Sequence, residues 1–349
     1  MTRVCVVSVF HNRAASVARS VESLLAQDYE DLGILLVDDG SSDDTLACLR
    51  RYESARVRVR SHPNKGFTAA LKDAIVDTDS EFIAIHGSGD ESLPQRISRQ
   101  VELLRIWPEA VAAGCGIVNV DEMTGAEWQV RPPEAYRPGP IETAFGVSHG
   151  ELIMRRSAYE RAGGYRTLFR VGQVSDLLRR MTLLGGIAYA REILYRRYLT
   201  PNGVSSNPEQ IAMRNLYAAL SIQALRRRAR SSIPARGALP PDEIDRYGAL
   251  APYFLPPDSG VARASAAVAA QLLALDRRAE AKRFAAMSLR HKLSLRGLAA
   301  WWLAWFSPRA AFLSFQRRRP AQPNDGDPLG ILRGAASPTG AQRERVDCP

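Results

Sequence analysis

Three clusters of polar residues close apolar runs in the first hundred positions. Asp38-Asp39-Gly40 follows Ile34–Val37, Asn64-Lys65-Gly66 follows Val57–Ser61, and "HGSGDES" with Asp90 and Glu91 follows Phe82–Ile85. Two carboxylates at a strand end can accept hydrogen bonds from a nucleobase N–H or from ribose hydroxyls; the competing use of Asp38-Asp39 is a turn and helix cap. Gly66 permits close backbone approach, and Lys65 offers a compact positive charge to a phosphate, although an ordinary solvated turn needs the same residues. Asp90 and Glu91 stand where paired carboxylates would hold a divalent cation against a phosphate. Glycines occupy the neighbouring positions 87 and 89, so the cation site is incomplete as written.

These clusters need elements that bring them together. Strand patterns at Val4–Phe10, Ile34–Val37, Val57–Ser61, Phe82–Ile85 and Val111–Val118 alternate with helix patterns at 14–27, 43–52, 68–76 and 94–106. Val17, Val21, Leu24 and Leu25 fall on one helical face. The alternation predicts an α/β, doubly wound, mostly parallel sheet, with all three clusters in loops at one edge. From 121 to 210 the alternation is lost. "HGELIMRRSAYERAGGYR" reads as strand, helix and glycine turn, and "GQVSDLLRRMTLLGG" as a helix ending at Gly185-Gly186. Residues 211–319 read as an alanine- and arginine-rich helical extension, in which 266–290 has the pattern of a helical hairpin. The composition of 320–349 predicts a disordered tail.

The ordered blocks "VCVVSVFHNRAASVARSVESLLAQDYEDLGILLVDDGSSDDTL", "NKGFTAALKDAI", "FIAIHGSGDESLPQRISRQV" and "HGELIMRRSAYERAGGYR" resemble family 2 glycosyltransferases of the GT-A fold, over roughly residues 3–205. The resemblance implies a GT-A-type domain over 1–210, with a donor half (1–120) and an acceptor half (121–210). It implies a nucleotide-sugar donor held by His11, Asn12, Asp38, Asp39, Lys65, Gly66, Lys72 and Asp90. His11 stands where the family usually has a tyrosine that stacks on the base, and Lys72 where it commonly has asparagine. His149 and Gly150 fall on the acceptor side. The acceptor would be a glycan or a lipid-linked sugar of cell-envelope or surface-polysaccharide synthesis.

The chain departs from that pattern at three chemical positions. The family's metal-binding aspartates align with Gly87 and Gly89. No tightly held metal is therefore expected, and Mg²⁺ or Mn²⁺ would bind only if the loop shifts to bring Asp90 to it. The family's catalytic base lies in a Glu-Asp pair, here Gln173-Val174. Asp176, two residues on, is the candidate catalytic carboxylate, but it is rotated roughly 200° around the helix from the usual base. Thr200 replaces a common histidine, before "GVSS". Two functions stay open: inverting glycosyl transfer, and a lapsed homologue that binds a nucleotide sugar or a partner without turnover. If active, Lys65, Lys72, His86 and Arg170 would offset the diphosphate charge.

Composition sets the outer bounds. Of 349 residues, 46% are apolar and 24% charged, with net charge +10, as in a globular protein that meets an anionic ligand or surface. No nucleic-acid-binding module is recognisable, so no nucleic-acid partner is expected. Cys5 and Cys115 lie in apolar runs and read as buried thiols. The chain opens on a strand without a signal-peptide pattern, and no apolar run reaches the ~18 residues of a membrane span. The expected location is cytoplasmic, with peripheral membrane contact through the tryptophan-rich segment 297–319.

Overall fold

A computed structural model describes residues 2–306, apart from breaks at 133, 144, 201–207, 231–232 and 234–236. The tail 320–349, the segment 307–319 and the "GVSS" stretch therefore lie outside the described residues. The strands are β1 (Thr2–Phe10), β2 (Leu32–Asp39), β3 (Val57–His62), β4 (Ser80–Ile85), β5 (Glu91–Ser92), β6 (Ala110–Asp121), β7 (Glu127–Val130), β8 (Tyr136–Arg137), β9 (Ile153–Arg155) and β10 (Gly186–Leu199). The helices of the first two hundred residues are α1 (Val17–Leu25), α2 (Thr45–Arg50), α3 (Phe67–Val76), α4 (Arg96–Ile106), α5 (Arg156–Arg161) and α6 (Gln173–Met181). Six more follow: α7 (Pro208–Arg228), α8 (Glu243–Tyr247), α9 (Ala251–Phe254), α10 (Ser259–Ala274), α11 (Arg278–His291) and α12 (Leu295–Phe306).

The strands form one sheet in the order β3-β2-β1-β4-β9-β6-β10-β5. The pairs β1–β2, β1–β4, β2–β3 and β6–β10 are parallel, and the short β9 is inserted antiparallel between β4 and β6. Two-residue periodicity explains why β1 is apolar on both sides. Cys5, Val7 and Val9 enter one core with Leu71, Ile75, Leu177 and Met181, whereas Val4, Val6 and Phe10 enter the other with Val21, Leu24, Leu49 and Val101. Helices therefore cover both faces, as the α/β reading of the sequence expects. Cys5 and Cys115 are free, buried thiols.

Two features differ from the sequence expectations. The helix ending near Gly185-Gly186 stops at Met181, and Gly186 instead opens the 14-residue strand β10. That strand escapes a pattern reading because arginines and a glutamate interrupt its aromatic and aliphatic residues. In the fold it is paired along most of its length with β6. The expected boundary at 210 falls inside α7, which begins at Pro208.

The extension has its own core. Phe169 is inserted into it among Leu216, Leu220, Val268 and Leu272. Helices α10 and α11 form a hairpin, with α7 and α12 packed against it. An ion network also crosses this boundary. Arg166 pairs with Asp176 at 3.1 Å, Asp242 at 2.7 Å and Asp245 at 2.8 Å, while Arg180 reaches Asp176 at 2.6 Å. Asp242 and Asp245 also close a capping box at the start of α8, so this helix start is anchored to α6 through Arg166.

Arg166→Ala leaves Asp176 and Asp242 buried with fewer partners, and is expected to cost about 3–5 kcal/mol of stability. Chemical denaturation of the full chain checks this; a loss below about 1 kcal/mol would show that the network does not couple the two regions.

Candidate functional site

The parallel register fixes which loops meet. Phe10 lies opposite Asp38, and Asp39 opposite His62, so the loops after β1, β2 and β3 emerge side by side, with the loop after β4 next to β1. Asp39 organises this edge. One carboxylate oxygen accepts the Lys65 N–H at 2.9 Å and the other the Gly66 N–H at 3.0 Å. Its carbonyl accepts the Asn64 side-chain amide at 3.0 Å and lies 2.9 Å from His11 Nδ1. Asp38 accepts from the Ser41 N–H at 3.2 Å and the Ser61 hydroxyl at 2.9 Å. A carboxylate has about four acceptor positions, so each aspartate retains capacity for a ligand. Gly40 adopts φ +66°, and a Cβ there would lie 2.4 Å from Asn64 N, so the two loops approach only because this position is glycine.

His11 is exposed, with its ring oriented through Asp39. Asn12, at φ 53°, accepts the Ser42 N–H at 2.8 Å and donates its own N–H to Ser41 Oγ at 3.0 Å. Gly66, at φ +88°, has open space where a Cβ would be. The Lys65 ammonium pairs with Asp73, and Lys72 is exposed on α3. His11, Asn12, Asp38, Asp39, Lys65 and Gly66 are thus brought to one edge.

The loop after β4 is built differently. Tyr195, fully buried on β10, donates its hydroxyl to Asp90 Oδ2 at 2.7 Å and accepts the Gly87 N–H at 2.9 Å. The Tyr198 N–H donates to Asp90 Oδ1 at 3.0 Å. Asp90 is therefore turned inward. Burial raises its carboxyl to about 6, against the lowering effect of those two hydrogen bonds. A Cβ on Gly87 would stand 2.2 Å from Asp90 Oδ2 and 3.1 Å from the Tyr195 hydroxyl, and a Cβ on Gly150 2.2 Å from the same hydroxyl. Glycine at 87 and 150 is what lets the phenol enter. His86 lies beneath, 3.0 Å from Ser20 Oγ and 3.1 Å from Ser92 Oγ; burial first, then the Arg96 charge, hold its pKa well below the usual histidine range. It is neutral at pH 7, which corrects the expectation that it supplies positive charge.

This donor set does not fit a divalent cation. Asp90 accepts a phenol on one oxygen and a backbone N–H on the other, Glu91 lies 3.2 Å from the Tyr198 hydroxyl and 3.4 Å from Arg196, and the glycines at 87 and 89 add no anionic oxygen where a hard cation needs several. Among the described residues no group of three histidine, cysteine or acidic side chains could hold a metal.

On the α1 side of this loop is a cavity of about 280 Å³, lined by Asn12, Arg13, Arg19, Gly89, Glu122 and Tyr198, among others. Arg19 donates to the Gly89 carbonyl at 2.8 Å, pairs with Glu122 at 2.8 Å, and lies 3.5 Å above the Tyr198 ring. On the acceptor side, the His149 ring meets the Tyr165 hydroxyl at 2.7 Å and Phe67 edge-on, and burial lowers its pKa to about 4. The Gly150 carbonyl accepts from buried Arg96 at 3.0 Å. Asp176 is buried in the first turn of α6, each of its oxygens paired with an arginine. Val174, at the position of the family's base, packs against the core. Arg170 lies apart, in a cleft of about 760 Å³ against the helical extension. Sequence reasoning missed Tyr195, Tyr198 and Arg96. The first two were hidden with β10; the only signal was the aromatic pair in "ILYRRYL".

Residues 5–163 match the family model "Glycosyl transferase family 2". EpsE of Bacillus subtilis, named as a glycosyltransferase, is 30% identical over 179 residues, covering 50% of this chain and 64% of that protein. The succinoglycan biosynthesis protein ExoU of Rhizobium meliloti is 27% identical over 240 residues, covering 62% of this chain and 68% of that protein. The chain thus spans a little under two thirds of EpsE. Among solved structures, residues 1–349 of S. aureus TarS in complex with UDP-GlcNAc match 93% of this chain and 98% of that one, with a TM-score of 0.57 at 14% identity. That likeness establishes the GT-A fold.

Asp90 gives a prediction with a definite sign. Its folded pKa, about 6, lies above its ordinary 3.8, so it favours folding in its protonated form. That contribution is full below about pH 3.8 and is lost as pH rises through about 6, a change of about 3 kcal/mol. Urea denaturation of Asp90→Asn beside the parent, from pH 4 to 7, should show the parent losing stability relative to the variant over this window. A difference that does not vary with pH would contradict this placement of the Asp90 carboxyl.

Proposed function

We propose, from the match of residues 5–163 to the glycosyltransferase family 2 model and the likeness to EpsE, that the chain transfers a sugar from a uridine or related nucleotide diphosphate donor to a cell-envelope or surface-polysaccharide acceptor, with inversion. The observation that carries this reading is the cradle of Asp38, Asp39 and the 64–66 loop. Its two carboxylates keep acceptor capacity at a strand edge, and His11 is exposed beside them. Asp38 and Asp39 accept from the base or ribose, and His11 stacks on the base. Lys65, in the cradle loop, and Lys72, exposed on α3, would offset diphosphate charge. One such charge ~4 Å from a phosphate oxygen is worth roughly 4 kcal/mol at an effective dielectric near 20. In transfer, an acceptor oxygen forms its bond to the anomeric carbon as the bond to the diphosphate breaks, and the acceptor proton passes to a base.

A second reading is favoured by α6. Its first turn offers Asp176 alone, and that carboxylate is held by Arg166 and Arg180. On this reading the cradle binds a nucleotide sugar, or the chain a partner, without turnover.

Two measurements test these readings. Asp39→Ala should weaken UDP binding in calorimetry by about 1–3 kcal/mol, because it leaves a ligand donor unpaired; unchanged affinity in a folded variant would remove the donor assignment. A screen of nucleotide sugars for hydrolysis and transfer should show turnover with at least one donor. Binding of a donor without turnover for every acceptor tried would favour the second reading.

A further inference from the structure

The exposed apolar residues of α12 fall on one stripe. Leu295, Leu298, Trp302 and Trp305 are 87%, 41%, 55% and 50% exposed, at spacings of three, four and three, while Gly297, Ala300 and Ala304 face inward. Ahead of the helix, Leu293 is 74% exposed. At the same end of α11, Arg290 bonds the Tyr253 carbonyl and His291 Nε2 lies 2.8 Å from the Pro252 carbonyl. These contacts bring in a second exposed cluster, Leu250, Tyr253 and Phe254 with Tyr247 stacked on Phe254.

Charge distinguishes this surface. Residues 281–306 contain Lys282, Arg283, Arg290, Lys292 and Arg296 and no aspartate or glutamate. None of the five makes an ion pair within 4 Å among the described residues, whereas Arg19, Arg99, Arg196, Arg226, Arg227 and Arg277 all do. Lys282 instead sits 3.9 Å over the Trp305 ring, which places a cation directly beside the apolar stripe. No helix among the described residues is long and apolar enough to cross a membrane.

We propose that this face, the outer stripe of α12 together with 247–254, docks on an anionic lipid surface. The tryptophans lie at headgroup depth, the leucines just below, and the five cations meet lipid phosphates. A second copy of the chain would bring five more cations against these five, so charge favours lipid over self-association. The inference is independent of the donor site.

The test is flotation of the full chain with phosphatidylcholine vesicles prepared with and without phosphatidylglycerol, together with light scattering. The parent should float only with the anionic vesicles. Lys292→Gln/Arg296→Gln should lower recovery, with partitioning falling roughly fivefold per charge removed. Leu298→Ser/Trp305→Ser, checked for an unchanged circular dichroism spectrum and UDP affinity, should abolish it. Absence of flotation, or recovery of both variants equal to that of the parent, would overturn the proposal. So would a dimer in light scattering that Leu298→Ser/Trp305→Ser dissociates while the parent stays with the lipid-free fraction.

Discussion

The hydrogen bond from the Tyr195 hydroxyl to Asp90 sets the character of the loop after β4. It joins the loop after β4 to the long strand β10, and the Gly87 N–H completes the junction by donating to the same hydroxyl. The phenol needs space that side chains at 87 and 150 would fill. Two glycines, one tyrosine and one inward-turned aspartate are therefore a single structural solution. Family 2 enzymes of the GT-A fold commonly organise this loop around a divalent metal. Here a phenol occupies the centre of the loop, and the one aspartate in it accepts a protein hydrogen bond on each oxygen.

The same pattern of committed groups recurs across the cleft. Asp176 is neutralised by two arginines, one of which also carries Asp242 and Asp245 from the helical extension. Its geometry serves attachment of the extension. The groups not consumed by the fold are concentrated on the side of β1, β2 and β3, where Asp38, Asp39 and His11 keep hydrogen-bonding or stacking capacity. This edge thus keeps the hydrogen-bonding capacity that the proposed nucleotide would use, whereas the loop after β4 offers few of the carboxylates that a divalent cation requires.

Much of this was legible in the sequence. Continuous apolar strands separated by amphipathic helices specify a sheet covered on both faces, and the four ordered motif blocks fix the fold. The glycines at 87 and 89 were visible as a departure, but what Gly87 makes room for was not. It is Tyr195, more than a hundred residues away, on a strand whose interspersed arginines hide its pairing with β6. Asp176 was visible as a carboxylate at a helix start, yet its partner Arg166 and the acids of α8 come together only in three dimensions. Residue types at one position can be read from a sequence, whereas the commitment of a buried carboxylate depends on what the fold brings to it.

The central claim is that the Tyr195–Asp90 junction leaves no place for a tightly held cation at the loop after β4. Its most direct test is to titrate Mn²⁺ in the presence of UDP, following bound metal by electron paramagnetic resonance and nucleotide affinity by calorimetry, with and without chelator. The account predicts no tight Mn²⁺ site and a nucleotide affinity that chelator leaves unchanged. Stoichiometric Mn²⁺ binding that chelator removes along with the nucleotide, and that Asp90→Asn abolishes, would contradict it and make Asp90 the ligand.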